Sequence, residues 1–211
     1  MSGASALCTE ALRVNARYVE EVVIGWGLCP WAAQAWRGGA VARRVLVEPA
    51  LEAATAPAPD HAADIAGVLA FIDELDSHPA TSIGLAIFPR AKQTAAGWGT
   101  FAERVRRADR ARRPSGGAAP FLLAAFHPGS GAGAAAARDP GALVSFLRRT
   151  PDPTLQLVRA SLLDGLARQG RDLSGEIARA NFAAVSARTP AALDALISDI
   201  RRDRDSSYAR L

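Results

Sequence analysis

Lysine is nearly missing from this chain: Lys92 is the only one among 25 basic residues, and the other 24 are arginine. Beside heavy alanine use, that skew reads as a coding bias more than as a selected binding surface. The net charge of +4 therefore does not by itself point to nucleic acid. Cysteine is scarce as well, with only Cys8 and Cys29, so no disulfide framework is expected and both thiols should be reduced. No apolar run approaches the roughly 18 residues of a membrane span. The opening residues Met1 to Ser5 lack the basic and apolar regions of a secretory signal, so the expected location is the cytoplasm and no membrane partner is expected.

What is present suffices for a full core. A chain of 211 residues that is 49% hydrophobic can bury one sizeable domain. Leu12, Tyr18, Val19, Val22 and Val23 fall at helical spacing between Glu10 and Ile24, where Gly25 and Gly27 stop the pattern. Val41 to Val47, Ser82 to Phe88 and Phe121 to Phe126 are short runs rich in strand formers, the last two ending at proline-bearing cassettes. Between them, Ala62 to Leu75 and Trp98 to Arg110 have helical spacing. Alternation of this kind predicts an α/β fold: one domain over 1–211, a small sheet with helical crossovers, then a C-terminal helical segment. In the latter, Pro153-Thr154 should open a helix carrying Leu155, Val158, Leu162, Leu163 and Leu166. Ser174 to Val185 and Pro190 to Arg201 should continue in the same mode, with 186–211 as an extension. Residues 53–63, 114–119 and 129–140 read as loops.

Chemistry should concentrate in two cassettes, Leu28-Cys29-Pro30-Trp31 and Phe126-His127-Pro128, because a thiol and an imidazole can form a nucleophile with its base, or two metal ligands. If Pro30 begins a helix, Cys29 is its N-cap and its sulfur meets free amides and the positive dipole end, which favours the thiolate. The competing reading has Cys29 filling core volume beside Trp26, Trp31 and Trp36. His127 closes a strand expected to be central, on the edge where α/β sheets hold ligands; it could equally hydrogen-bond a neighbouring loop. A third polar segment, Arg148, Arg149, Thr150, Asp152, Thr154, Gln156 and Arg159, could converge on a carboxylate or phosphate, or simply cap a helix.

Other candidates are weaker. Gly129-Ser130-Gly131-Ala132-Gly133 lacks the spacing of a dinucleotide fingerprint and the Lys-Ser/Thr pair of a P-loop, so it reads as a mobile loop beside His127, and no cofactor is expected. His61 and His78 read as surface residues. The cluster Arg104, Arg106, Arg107, Arg110, Arg112 and Arg113 contains Glu103 and Asp109 and no interleaved aromatic, as a solvated helix face does.

Three segments together, Tyr18 to Ala32, Phe126-His127-Pro128 and Arg149 to Arg159, with Ile177 to Asn181 further on, resemble an uncharacterised bacterial family catalogued as domain of unknown function 1415. The resemblance covers about residues 10–185 and implies no reaction. The family pattern has a histidine where Gln156 stands, an aromatic at Asp152, a serine at Thr150 and an acidic residue at Gly129. A Cys/His/His metal set would therefore be incomplete in this chain, and no metal is expected.

These readings combine into one expectation. It is an enzyme acting on a small anionic substrate by thiol and imidazole acyl- or amide-type chemistry, with Cys29 as nucleophile and His127 as base. Arg148, Arg149, Thr150, Asp152, Thr154, Gln156 and Arg159 would bind the substrate. The alternative is a non-catalytic protein that binds a small ligand or metal in the same cleft.

Overall fold

The computed structural model describes residues 3–29, 31–47, 62–114, 117–131, 140–162 and 173–211. Helix α1, Gly3–Tyr18, buries Leu7, Ala11, Val14 and Tyr18 at spacings of four, three and four, the stripe expected of a helix with one face on a core. It runs on into a wider π-helical turn, Val19–Ile24, that closes with Gly25 N–H on Glu20 O at 2.9 Å. The extra residue in that turn resets the stripe, so that Val19 and Val22 are buried after Tyr18. Helix α2, Ala32–Arg37, then leads into strand β1, Val41–Val45. Helix α3, Ala62–Asp76, crosses to β2, Ile83–Ile87, and α4, Ala95–Ala111, crosses to β3, Phe121–Phe126. Helix α5, Pro140–Leu147, precedes β4, Thr154–Arg159, and the chain closes with α6, Leu173–Arg188, and α7, Pro190–Tyr208.

The four strands form one mixed sheet in the order β1-β2-β4-β3. β1 pairs parallel to β2, with Val41 opposite Ile83, while β4 runs antiparallel to both β2 and β3, with Thr154 opposite Ile87 and Phe126. The ends of β2 and β3 therefore meet the start of β4 at one edge of the sheet.

Alternating residues send the two faces into two cores. Ala86, Leu155 and Leu157 pack with Phe71, Ile72 and Leu75 of α3 and Trp98, Phe101 and Val105 of α4. Ile83 and Leu85 pack with Val14 and Tyr18 of α1, Leu143 and Phe146 of α5, Val185 of α6, and Leu193, Ile197 and Ile200 of α7. Gly84 sets how closely α3 approaches, because a Cβ there would lie 2.3 Å from Leu75 Cδ1. The molecule is a single α/β domain with helices on both sheet faces. Among the described residues, no helix is long and apolar enough to cross a membrane.

The three predicted strands and five of the predicted helical stretches lie where the sequence puts them, although the first helix already begins at Gly3, not Glu10, and the last runs on to Tyr208, past Arg201. Three expectations need correction. The helix expected from Pro153-Thr154 is strand β4: Leu155 and Leu157 point into one core while Thr154, Gln156 and Val158 alternate with them, and pairing on both sides holds the segment extended. Leu163 and Leu166 of that supposed stripe lie outside the described residues. Because β4 enters between β2 and β3, β3 is an edge strand and not the central one. Finally, α2 has Trp31 as its N-cap, without a side-chain bond, so Cys29 is not a helix cap; it lies in a bend, half-buried, two residues further back. Pro30, on which that expectation depended, is outside the described residues, as is His61. The loop expected over 53–63 lies largely outside them too, and α3 already begins at Ala62.

Helix α5 has no counterpart among the predicted elements, since its apolar residues Leu143, Val144, Phe146 and Leu147 are too few to show a period. The arginine-rich face of α4 is largely occupied by its own surroundings. Arg112 and Arg113 both bond Asp109, Arg112 also reaches Asp73 at 2.6 Å, and Arg106 pairs with Glu103 and donates to Leu123 O at 2.6 Å. That last bond covers a main-chain carbonyl of the edge strand β3.

Candidate functional site

His127 follows β3 directly and is fixed on three sides by main chain. Its own N–H bonds Arg148 O at 2.9 Å. Its ring Nε2 lies 2.9 Å from Gln93 O, and its Nδ1 accepts from Gly129 N–H at 2.9 Å. An amide hydrogen on Nδ1 and a carbonyl on Nε2 define a neutral ring protonated at Nε2. Burial is the main cause that lowers the ring's pKa below 6.5; the Gln93 carbonyl partly opposes it, and Arg201 adds repulsion. Gly131 holds the loop after His127 against α5 with a positive φ of 69°, and a Cβ there would sit 2.8 Å from Ser145 C.

The sign of the His127 shift gives a stability prediction. A histidine whose folded pKa is lowered contributes stability that is present in full above the unfolded value near 6.5 and is lost as pH falls from there toward the folded value. Thermal unfolding of the wild type should therefore lose midpoint between pH 6.5 and 5, and His127→Gln should flatten that segment. An equal slope in both proteins would show that another group titrates.

Arg201 and Arg204 reach this edge from α7. Arg201 donates to Pro128 O at 3.4 Å. Arg204 donates from Nε to Asp152 Oδ1 at 2.8 Å and from a terminal nitrogen to Pro89 O at 3.0 Å, tying the loops after β2 and before β4 together. Tyr208 O–H donates to Asp152 Oδ2 at 2.7 Å, and the Arg204 guanidinium lies 4.4 Å from its ring centre. Asp152 is 3% exposed. Burial pushes its carboxyl up, while Arg204 and Tyr208 pull it back; both partners donate to it as an anion does, and its backbone oxygen takes the hydroxyls of Thr150 and Thr154 at 2.7 and 2.9 Å.

The third motif is thus split by its environment. Thr150, Asp152 and Thr154 stand at the His127 edge but face inward to structural partners. Arg149 pairs with Asp194 and lies over Phe146. Arg159 is at the opposite end of β4, where it donates to Thr81 O and Leu75 O at 2.9 and 2.6 Å and lies over Phe121. Gln156 sits mid-strand between Leu85 and Ala124. Arg148 alone of the motif's arginines has an exposed side chain at the His127 edge.

Cys29 is a free thiol, half-buried in the bend before α2. Helix α1 runs antiparallel to α7, pairing Arg13 with Asp203 and Arg17 with Asp199, and Tyr208 marks the end of α7 at the His127 edge. The chain passes from α1 through the π-helical turn to Leu28, whose N–H bonds Val23 O at 2.9 Å. Helix α2 then feeds the start of β1, where Ala40 O accepts from Ser82 and Ile83 at the start of β2. Strands of five or six residues, at about 3.3 Å per residue, separate that edge from His127. Among the described residues Cys29 and His127 share no hydrogen bond, and no group of three or more His, Cys, Asp or Glu side chains could hold a metal ion.

Sequence reasoning missed the residues that complete the His127 edge. Gln93, Arg201, Arg204 and Tyr208 come from a loop and from a helix 70 or more residues away, and no local pattern marks them. Gln93 immediately precedes Thr94, the N-cap of α4, whose hydroxyl accepts from Gly97 N–H. His127 is therefore held at the positive end of that helix.

Residues 10–194 match the family described as "Protein of unknown function (DUF1415)". No curated protein and no solved structure matches the chain.

Proposed function

The chain belongs to this family of unknown function, and we propose from its geometry that it binds a small anionic molecule, bearing a carboxylate or a phosphate, at the sheet edge around His127 and Arg201. One observation carries the reading. Arg201 donates to Pro128 O at 3.4 Å, one residue from His127, and its charge opposes protonation of the ring. Among the described residues no carboxylate is bonded to Arg201, and Asp152, the buried acid nearby in sequence to Arg148, is already engaged by Arg204 and Tyr208. The exposed Arg148 side chain and the positive end of α4 add to the same potential. An anion is the guest that such a site favours.

Binding without covalent chemistry is the form that the geometry supports best. A general base needs a ring nitrogen free to take a proton, and both nitrogens of His127 are held by main chain. A thiol nucleophile needs to lie within reach of its base, and among the described residues Cys29 makes no hydrogen bond with His127. Acyl or amide chemistry by this pair would require the loop from His127 to Gly131 to rearrange.

The test is the His127 ring signal by NMR, titrated with inorganic phosphate and with citrate at constant ionic strength. A bound anion offsets Arg201, so the ring's pKa should rise on saturation, and Arg201→Gln should weaken binding about tenfold or more. Ring signals that do not move with either anion, or that move equally in the variant, would overturn the proposal.

A further inference from the structure

Arg201 is loosely held for a residue on which anion binding is to depend. Among the described residues its one hydrogen bond goes to Pro128 O at 3.4 Å, longer than an ordinary N–H···O bond, so that contact does little to fix a long, rotamer-rich side chain. Its placement has to come from the helix that carries it. Arg204 follows one turn later on α7, so the two side chains leave the same side of the helix. Arg204 and Tyr208 both end on the Asp152 carboxylate, at 2.8 and 2.7 Å, one on each oxygen. Asp152 is itself fixed to the sheet: its main-chain oxygen takes the hydroxyls of Thr150 and Thr154, and the next residue, Pro153, accepts from Phe88 N–H at 2.9 Å. Burial of Ile197 and Ile200 holds α7 to the core, but apolar contact has no direction. Two hydrogen bonds four residues apart on one helix do have direction, and they set both its rotation and its height at the sheet edge.

Resting on the anion reading above, we infer that Asp152 is a positioning residue of that site: through Arg204 and Tyr208 it fixes α7 at the sheet edge and so holds Arg201 against the loop that carries His127. Asp152 does not touch the anion. Its influence runs through the helix, and that gives it an unusual sign. A buried carboxylate acting only by its charge would weaken anion binding nearby, so removing the charge would strengthen binding and lower the His127 pKa. A carboxylate that positions Arg201 does the reverse, because its loss lets the cation recede.

Asp152→Asn tests this, since asparagine keeps the shape and offers one acceptor oxygen where the carboxylate offers two, so either Arg204 or Tyr208 loses its bond. In the ligand-free variant the His127 ring pKa, followed by NMR, should rise toward its value in Arg201→Gln. Affinity for inorganic phosphate should fall about fivefold or more, with no further loss when Arg201→Gln is added, since changes that act through one group do not add. Tyr208→Phe, which keeps the ion pair and the charge, should shift both readouts the same way by less, and it decides the matter if Asp152→Asn does not fold. Asp203→Asn loosens α7 from Arg13 and Arg17 of α1 instead and should leave the ring signal where it is. A ligand-free ring pKa that falls or stays unchanged in Asp152→Asn and Tyr208→Phe, or that moves equally in Asp203→Asn, would overturn the positioning role while leaving the anion site standing. A wild type that binds no phosphate would overturn the anion reading, and the ligand-free comparison would still show whether Asp152 places Arg201.

Discussion

Replacing Arg204 by methionine is expected to destabilise the fold by about 3–5 kcal/mol at pH 7, the cost of stranding a buried charge. Asp152 is 3% exposed, so its carboxylate cannot turn to water when its cation is removed. Methionine retains much of the arginine's bulk beside Tyr208, which isolates the electrostatic part of the loss. Burial already raises the Asp152 pKa, and without Arg204 it should rise further. A carboxyl with a raised folded pKa favours the protonated native state, so the penalty of the variant should shrink as pH falls toward 4. Asp152→Asn together with Arg204→Met should recover part of the stability lost at neutral pH. Urea unfolding at pH 7 and pH 4 measures all three quantities. A cost below about 1 kcal/mol at pH 7, or one that does not change with pH, would mean that the pair is not the anchor it resembles.

The second large effect concerns the end of the chain. The family match stops at residue 194, yet ending the chain there is expected to abolish cooperative folding. Ile197 and Ile200 are 1% and 0% exposed, in the core that covers one sheet face. Removing even one buried isoleucine side chain costs about 2–5 kcal/mol, and whole domains have only about 5–15 kcal/mol to lose. The same cut strips Arg204 and Tyr208 from Asp152. It also removes Asp199 and Asp203, which bond Arg13 and Arg17 of α1 at 2.6 to 3.1 Å; those two arginines, Arg13 first, hold the Asp203 carboxyl down at about 2. Those exposed pairs contribute little each, so the isoleucines and the buried acid dominate. Circular dichroism and near-ultraviolet spectra of the 1–194 chain should show lost tertiary structure, and a sharp thermal transition close to the wild-type midpoint would refute the expectation.

These two results explain how much was legible beforehand. Strands β1, β2 and β3 and helices α3 and α4 were readable because each carries its own period and is bounded by glycine, proline or a polar run. Local residues are enough to specify such elements. β4 was not readable, because Leu155 and Val158 fit a helical stripe as well as Leu155 and Leu157 fit a strand. Only the hydrogen bonds offered by β2 and β3 decide between them. His127 was recognisable as a strand-end residue, but its tautomer, its lowered pKa and its closeness to Arg201 arise from Gln93, Gly129 and α7. The sequence by itself determined the α/β class, the family and the position of His127 at a strand end, since periodicity, turn residues and motifs are local. The tertiary structure decided that β4 lies inside the sheet, that the His127 ring is held by Gln93 and Gly129 and that α7 completes both the core and the His127 edge, since each depends on partners distant in sequence that meet only when the sheet closes around β4.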